Sequence, residues 1–89
     1  MSRGLLLNKC NEGIMNAEVE KKVGQNLRRL REQAGMTQEI LAVKLQLGGC
    51  DITRSAVAKI EVGQRHLYVD EIILVAKILG VPFEALLGE

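Results

Sequence analysis

Eighty-nine residues with a net charge of +1 make one domain, and at this length an unstapled chain must place most of its apolar side chains in a single core. The apolar share of 47% comes with one Phe, one Tyr and no Trp, which argues against an aromatic-rich sheet or a base-stacking surface and for packed helices. One histidine and two distant cysteines, Cys10 and Cys50, supply neither a zinc site, a disulfide framework nor a nucleophile beside a base, so the expectation is no metal, no cofactor and no enzyme.

Residues 1–17 contain two glycines and three asparagines and no sustained periodicity, and they read as a flexible arm preceding a domain over 18–89. Leu5, Leu6 and Leu7 are too few for a signal-peptide core, and no run of about 18 uncharged apolar residues exists, so a cytoplasmic protein without a membrane contact is expected. From Val19 the apolar positions Val19, Val23, Leu27, Leu30 and Ala34 recur at steps of four and three, one stripe of a first helix. Gly35 closes it, because glycine takes the left-handed conformation without a Cβ clash.

Thr37 is placed to N-cap a second helix that turns Leu41, Ala42 and Leu45 inward and stops at Gly48-Gly49. Thr53 caps a third helix, with Val57 and Ile60 inward and Gly63 at its close. A fourth helix carries Val69, Ile72, Ile73, Ala76 and Leu79 at spacings of three and four and ends at Gly80. Pro82 then opens a short fifth helix, returning Phe83 and Leu86 or Leu87 to the core. The predicted plan is five short helices.

Charge is unevenly divided along this plan. Between Glu20 and His66 nine basic residues face five acidic ones, a net of +4, whereas Leu67 to Glu89 carries one basic residue against four acidic. A basic middle and an acidic end suit an anionic polymer on one side of the molecule. With Val57 and Ile60 buried, Arg54, Ser55, Ala58 and Lys59 fall on the outward side of the third helix.

The runs Arg28-Arg29-Leu30-Arg31-Glu32-Gln33-Ala34-Gly35-Met36-Thr37-Gln38, Leu41-Ala42, Ser55 to Gly63 and Ala76 to Val81, in this order and spacing, resemble the phage repressor and Cro-like (XRE-type) helix-turn-helix regulators. The resemblance runs from about Val23 to Leu87. It implies an all-α, lambda-repressor-like domain in which helices two and three form the helix-turn-helix. It also implies sequence-specific binding of double-stranded DNA, with the helix from Thr53 to Val62 in the major groove of a palindromic operator and the protein acting as a homodimeric transcriptional repressor.

On that reading Arg54, Ser55, Ala58 and Lys59 face the bases, Arg54 being suited to bidentate pairing with guanine. Gln38, Thr53 and Arg65 are candidates for phosphate, Gln38 aided by the exposed amides of a helix N-terminus. Arg31 and Glu61 are assigned by the resemblance to a partly buried structural ion pair. His66, the one histidine, is read as a loop residue rather than a pH switch.

Two departures stand out. Between Leu45 and Thr53 there are about five residues more than the family's tight turn, so helix two can be longer or the angle between helices two and three can change. Leu67-Tyr68 replaces the Pro-Ser that often starts helix four, which removes the usual cap and places Tyr68, the outer face of helix four and the last helix at a partner surface. The competing assignment is an antitoxin-like module that binds a protein partner, with DNA contact secondary.

Overall fold

The computed structural model describes residues 12–88, with side chains from Ala17 onward. Five helices follow in order: α1 Glu12–Gln33, α2 Gln38–Leu47, α3 Arg54–Glu61, α4 Val69–Leu79 and α5 Glu84–Leu87. No strand occurs among the described residues, and none of their helices is long and apolar enough to cross a membrane.

The expected boundary after Ala17 moves, because α1 already begins at Glu12. Met15, Ala17, Glu18, Glu20, Lys21 and Lys22 are good helix formers, and extending a helix held by packed turns costs far less than nucleating one. Together they outweigh Gly13 and Asn16. The rest of the expected arm, residues 1–11, lies outside the described residues.

The core collects Val23 and Leu27 from α1, Leu41, Ala42 and Leu45 from α2, Val57 and Ile60 from α3, and Leu86 from α5. Leu27, Leu41, Leu45 and Leu86 are essentially inaccessible, each worth about 1.5–3 kcal/mol of apolar transfer. The predicted stripe on α1 is narrower than expected. Val19 is 52% exposed and Asn26 is buried instead. Asn26 Nδ2 donates to the carbonyls of Leu86 and Gly88, both at 2.8 Å, so one polar side chain sews the end of the domain to α1 and leaves its buried amide satisfied.

The face of α4 is also rotated from the expected one. Ile72, Val75 and Ala76 are buried, while Val69 and Ile73 stand at the surface. The sequence of α4 is apolar on nearly every side, so spacing alone does not select the face. Of the fifth helix only Leu86 is buried, with Phe83 and Leu87 exposed. The start of α4 has a cap after all: the Glu71 carboxylate accepts from the Tyr68 amide at 3.0 Å, the N3 half of a capping box.

The additional residues between helices two and three do not lengthen α2, which ends at Leu47. They form an anchored loop. The Cys50 amide donates to Leu45 at 2.9 Å, Gln46 Nε2 donates to the Ile52 carbonyl at 3.0 Å, and Ile52 is fully buried. A longer connection therefore arrives at the same kind of start for α3, with Thr53 Oγ1 accepting from the Ala56 amide at 3.1 Å.

Candidate nucleic-acid interface

α3 is held from behind at its C-terminal end. A Cβ on Gly24 of α1 would lie 2.2 Å from the Ile60 carbonyl oxygen and 2.8 Å from that of Glu61, so the backbones of α1 and α3 approach as closely as only glycine permits. The loop after α3 repeats this contact. Gly63 sits against Lys21, where a Cβ would be 3.1 Å from the Lys21 Cα, and its φ of +80° lies in the left-handed region.

Arg31 and Glu61 close the same corner with charge. Arg31 Nε donates to Glu61 Oε2 at 2.6 Å and Nη2 to Oε1 at 3.1 Å, with side chains only 8% and 3% exposed. Arg31 Nη1 also donates to the Met36 carbonyl at 2.7 Å. Gln38 Nε2 adds a third donor to Glu61, at 2.9 Å. The hydrogen bonds from Arg31 to Glu61 hold the guanidinium above its ordinary value, against the opposing effect of burial. α1, the start of α2 and the end of α3 thus meet at one carboxylate. A bidentate pair with a further hydrogen bond to each partner is the arrangement in which a buried charge is tolerated.

The outer side of α3 is free. Arg54, Ser55 and Lys59 are exposed and Ala58 half-buried, while Val57, Ile60 and Glu61 of the same helix are buried. Among the described residues Arg54 and Lys59 make no hydrogen bond or ion pair. Their charges are available to something outside the domain.

The three residues read from sequence as phosphate ligands are placed differently from one another. Thr53 is exposed, and its hydroxyl accepts in the cap while keeping its own proton to donate. Gln38 spends one amide hydrogen on Glu61 and retains the other. Arg65 is turned to Glu71: Nη1 and Nη2 donate to Oε1 and Oε2 at 3.0 and 3.2 Å, and Nη1 also donates to the His66 carbonyl at 2.7 Å. Burial pushes the Glu71 carboxyl up, but the hydrogen bonds from Arg65 and the Tyr68 amide bring it below the usual carboxylate range.

His66 Nδ1 lies 2.7 Å from Glu20 Oε2, and its ring meets Tyr68 edge-on at 4.8 Å. The loop after α3 is thereby pinned to α1 and α4 together. Sequence reading missed Gly24, Asn26, Glu20 and Glu71. A signal existed for two of them: Asn26 is a polar residue on the apolar stripe, and Gly24 is a glycine kept inside a helix at a cost of about 1 kcal/mol.

Among the described residues no group of three or more His, Cys, Asp or Glu is placed to hold a metal ion. Cys50 is a free, half-buried thiol, and burial raises it.

Known proteins agree with this geometry. A helix-turn-helix family model matches residues 27–86. The chain is similar to the crystal structure of the DNA-binding domain of BldD, with a TM-score of 0.68 and 30% identity over 81% of this chain and 97% of that one. It is also similar to the restriction-modification controller protein C.AhdI from Aeromonas hydrophila, with a TM-score of 0.64 and 37% identity over 75% of this chain and 94% of that one. No curated protein matches the sequence significantly. With the family model covering all of α2, α3 and α4 and two solved structures sharing the arrangement, the chain belongs to the helix-turn-helix family, of the repressor and Cro-like (XRE) type.

Proposed function

We propose that this protein is a sequence-specific, double-stranded DNA-binding regulator that reads the major groove with α3. The observation that carries the reading is the contrast along α3. Its C-terminal end is locked by Gly24 and the Arg31–Glu61 pair, while Arg54, Ser55 and Lys59 project from its outer face without internal partners. A helix of this width fits a major groove about 12 Å wide, and a rigid support fixes which base edges its side chains reach. Arg54 pairs with guanine, Lys59 reaches guanine or phosphate, and Ser55 and Ala58 complete the reading face. Gln38, Thr53 and the remaining N–H groups of Arg65 position the phosphate backbone.

One domain reads few base pairs, so the functional unit is a homodimer on a palindromic operator. Support comes from the exposed apolar side chains Val69 and Ile73, one turn apart on α4, with Phe83 and Leu87 nearby in sequence at α5. The similar proteins named for DNA binding and for control of a restriction-modification system favour a transcriptional role in the cytoplasm. Repression is the simplest form of it, since a bound dimer excludes other proteins from the operator. The apolar face also supports an antitoxin-like module whose main contact is another protein.

Selection of bound duplexes from random DNA tests the assignment. A two-fold related pair of half-sites is expected, with binding that weakens steeply as salt rises. Arg54→Ala should cost about 1–3 kcal/mol and relax preference at one base pair per half-site. Failure to enrich any sequence, with capture of a heterologous protein instead, would transfer the function to the second reading.

A further inference from the structure

Beside the C-terminal end of α3 lies a surface groove of about 410 Å³ lined by Lys21, Gln25, Arg28, Arg29, Glu32, Glu61 and Val62. Five of these residues belong to the outer face of α1, outside the two helices that give the fold its name. We infer that this face of α1 is a second phosphate-binding surface, in which Lys21 and Arg28 clamp the DNA backbone flanking the bases that α3 reads. The inference rests on the DNA-binding reading above and adds to it a contact outside the helix-turn-helix.

Position is the first argument. α3 has eight residues, about 12 Å of helix, which is about the width of the groove it enters. With the N-terminal half of α3 among the bases, its other end arrives at the groove wall, where the phosphates run. That end is where α1 touches it. Gly24 packs on the Ile60 and Glu61 carbonyls, and Gly63 packs on Lys21, so Lys21, Gln25 and Arg28, at steps of four and three, follow the contact along one face of α1.

Charge is the second argument. Lys21 is exposed and has no ion pair among the described residues. Arg28 is paired only with Glu32, at 3.2 Å, both side chains more than half exposed. Such a surface pair is weak and readily exchanged for a phosphate. The second acid of the groove, Glu61, is already neutralised by Arg31. Gln25, exposed between the two cations, offers an amide donor of the kind that accompanies phosphate contacts. The groove is open and lined by three cations, Lys21, Arg28 and Arg29, against Glu32 and Glu61, which suits a phosphate backbone.

The test uses the whole chain and the double variant K21Q/R28Q, with Kd measured on a selected duplex and on an unrelated duplex at several salt concentrations. The plot of log Kd against log salt should become shallower by about two for the double variant, with binding weakened about tenfold or more on both duplexes and the order of base preference unchanged. Ethylation of the flanking phosphates should stop interfering with its binding. Wild-type affinity and slope in the double variant would overturn the inference while leaving the DNA-binding reading intact, and so would an altered base preference, which would place these residues elsewhere. A wild-type protein that binds neither duplex would remove the reading itself. Both substitutions lie at exposed positions, and an unchanged melting curve confirms that the fold is being compared like for like.

Discussion

In the part of the molecule built from α1, α2 and α3, polar groups go inside: Asn26, Arg31 and Glu61 are all buried, and the outer faces of α1 and α3 carry Lys21, Arg28, Arg54 and Lys59. Around α4 and α5 the reverse holds. Val69 and Ile73 on α4, and Phe83 and Leu87 at α5, are exposed, while the charges there are mostly acidic, with Arg65 paired to Glu71 and Lys77 the one basic residue of α4. The first part spends buried hydrogen bonds on orienting a helix whose outer surface is basic. The second leaves apolar area uncovered. A rigid cationic face suits a polyanion of fixed geometry, whereas an apolar face suits another folded surface.

The sharpest way to break this contrast is at Glu61. Replacing it with Ala strands the Arg31 guanidinium in a site 8% exposed and should cost about 3–5 kcal/mol in chemical denaturation. The pair R31M/E61L should recover most of that loss, because an apolar pair of similar volume removes both desolvation penalties. An unaltered melting temperature for Glu61→Ala would show that the corner is held by backbone packing alone.

Backbone packing has its own test. In an open helix Gly→Ala is stabilising by about 1 kcal/mol. At Gly24 the added Cβ would meet the Ile60 carbonyl at 2.2 Å, so Gly24→Ala should destabilise by about 1–3 kcal/mol and displace the end of α3. Loss of DNA affinity beyond what the stability change explains would report that displacement. A stabilised variant would mean that α1 and α3 slide apart freely.

On the apolar side, Ile73→Glu adds charge to a residue 52% exposed. It should leave the monomer's melting curve nearly unchanged and weaken self-association at least tenfold, about 1.4 kcal/mol, in sedimentation equilibrium. Equal association of the two proteins would remove this face from the dimer interface.

How far the sequence reveals these features depends on whether a local pattern has one solution. Thr37 and Thr53 were legible because a capping hydroxyl before an apolar-periodic run has one geometry, and both accept from the third amide onward. Val23, Leu27, Leu41 and Leu45 were legible by spacing. The face of α4 was not, since Val69, Ile72, Ile73, Val75 and Ala76 give several apolar stripes, and only packing against the other helices chooses among them. The start of α1 was hidden by Gly13 and Asn16, whose local preference is overridden by cooperative extension. At the interface, the outward position of Ser55 and Lys59 followed from burying Val57 and Ile60. The partners of Gln38 and Arg65 did not follow, because Glu61 is 23 residues from Gln38 in sequence and its approach requires the folded chain.

The smallest expected effect lies where the two parts join, at the Arg65–Glu71 pair. The fold lowers the Glu71 carboxyl from its unperturbed value of 4.5, so across the interval below that value the unfolded chain binds more protons than the native one, and stability rises with pH there. This contribution is fully present above about pH 5 and is lost as the pH falls through the native value. Glu71→Gln removes it, together with much of the hold on Arg65 and the cap of α4. The variant should be less stable than the parent at pH 7 by about 1 kcal/mol or less, since the pair is only partly buried, and the two denaturation curves should converge on acidification. Arg65→Met should reproduce the convergence while keeping the cap, because the Tyr68 amide still donates to Glu71. If the difference between parent and Glu71→Gln instead stayed constant down to acid pH, the Glu71 side chain would be acting as a neutral spacer, and the loop after α3 would be held to the C-terminal part by Leu67 and the edge-on His66–Tyr68 contact.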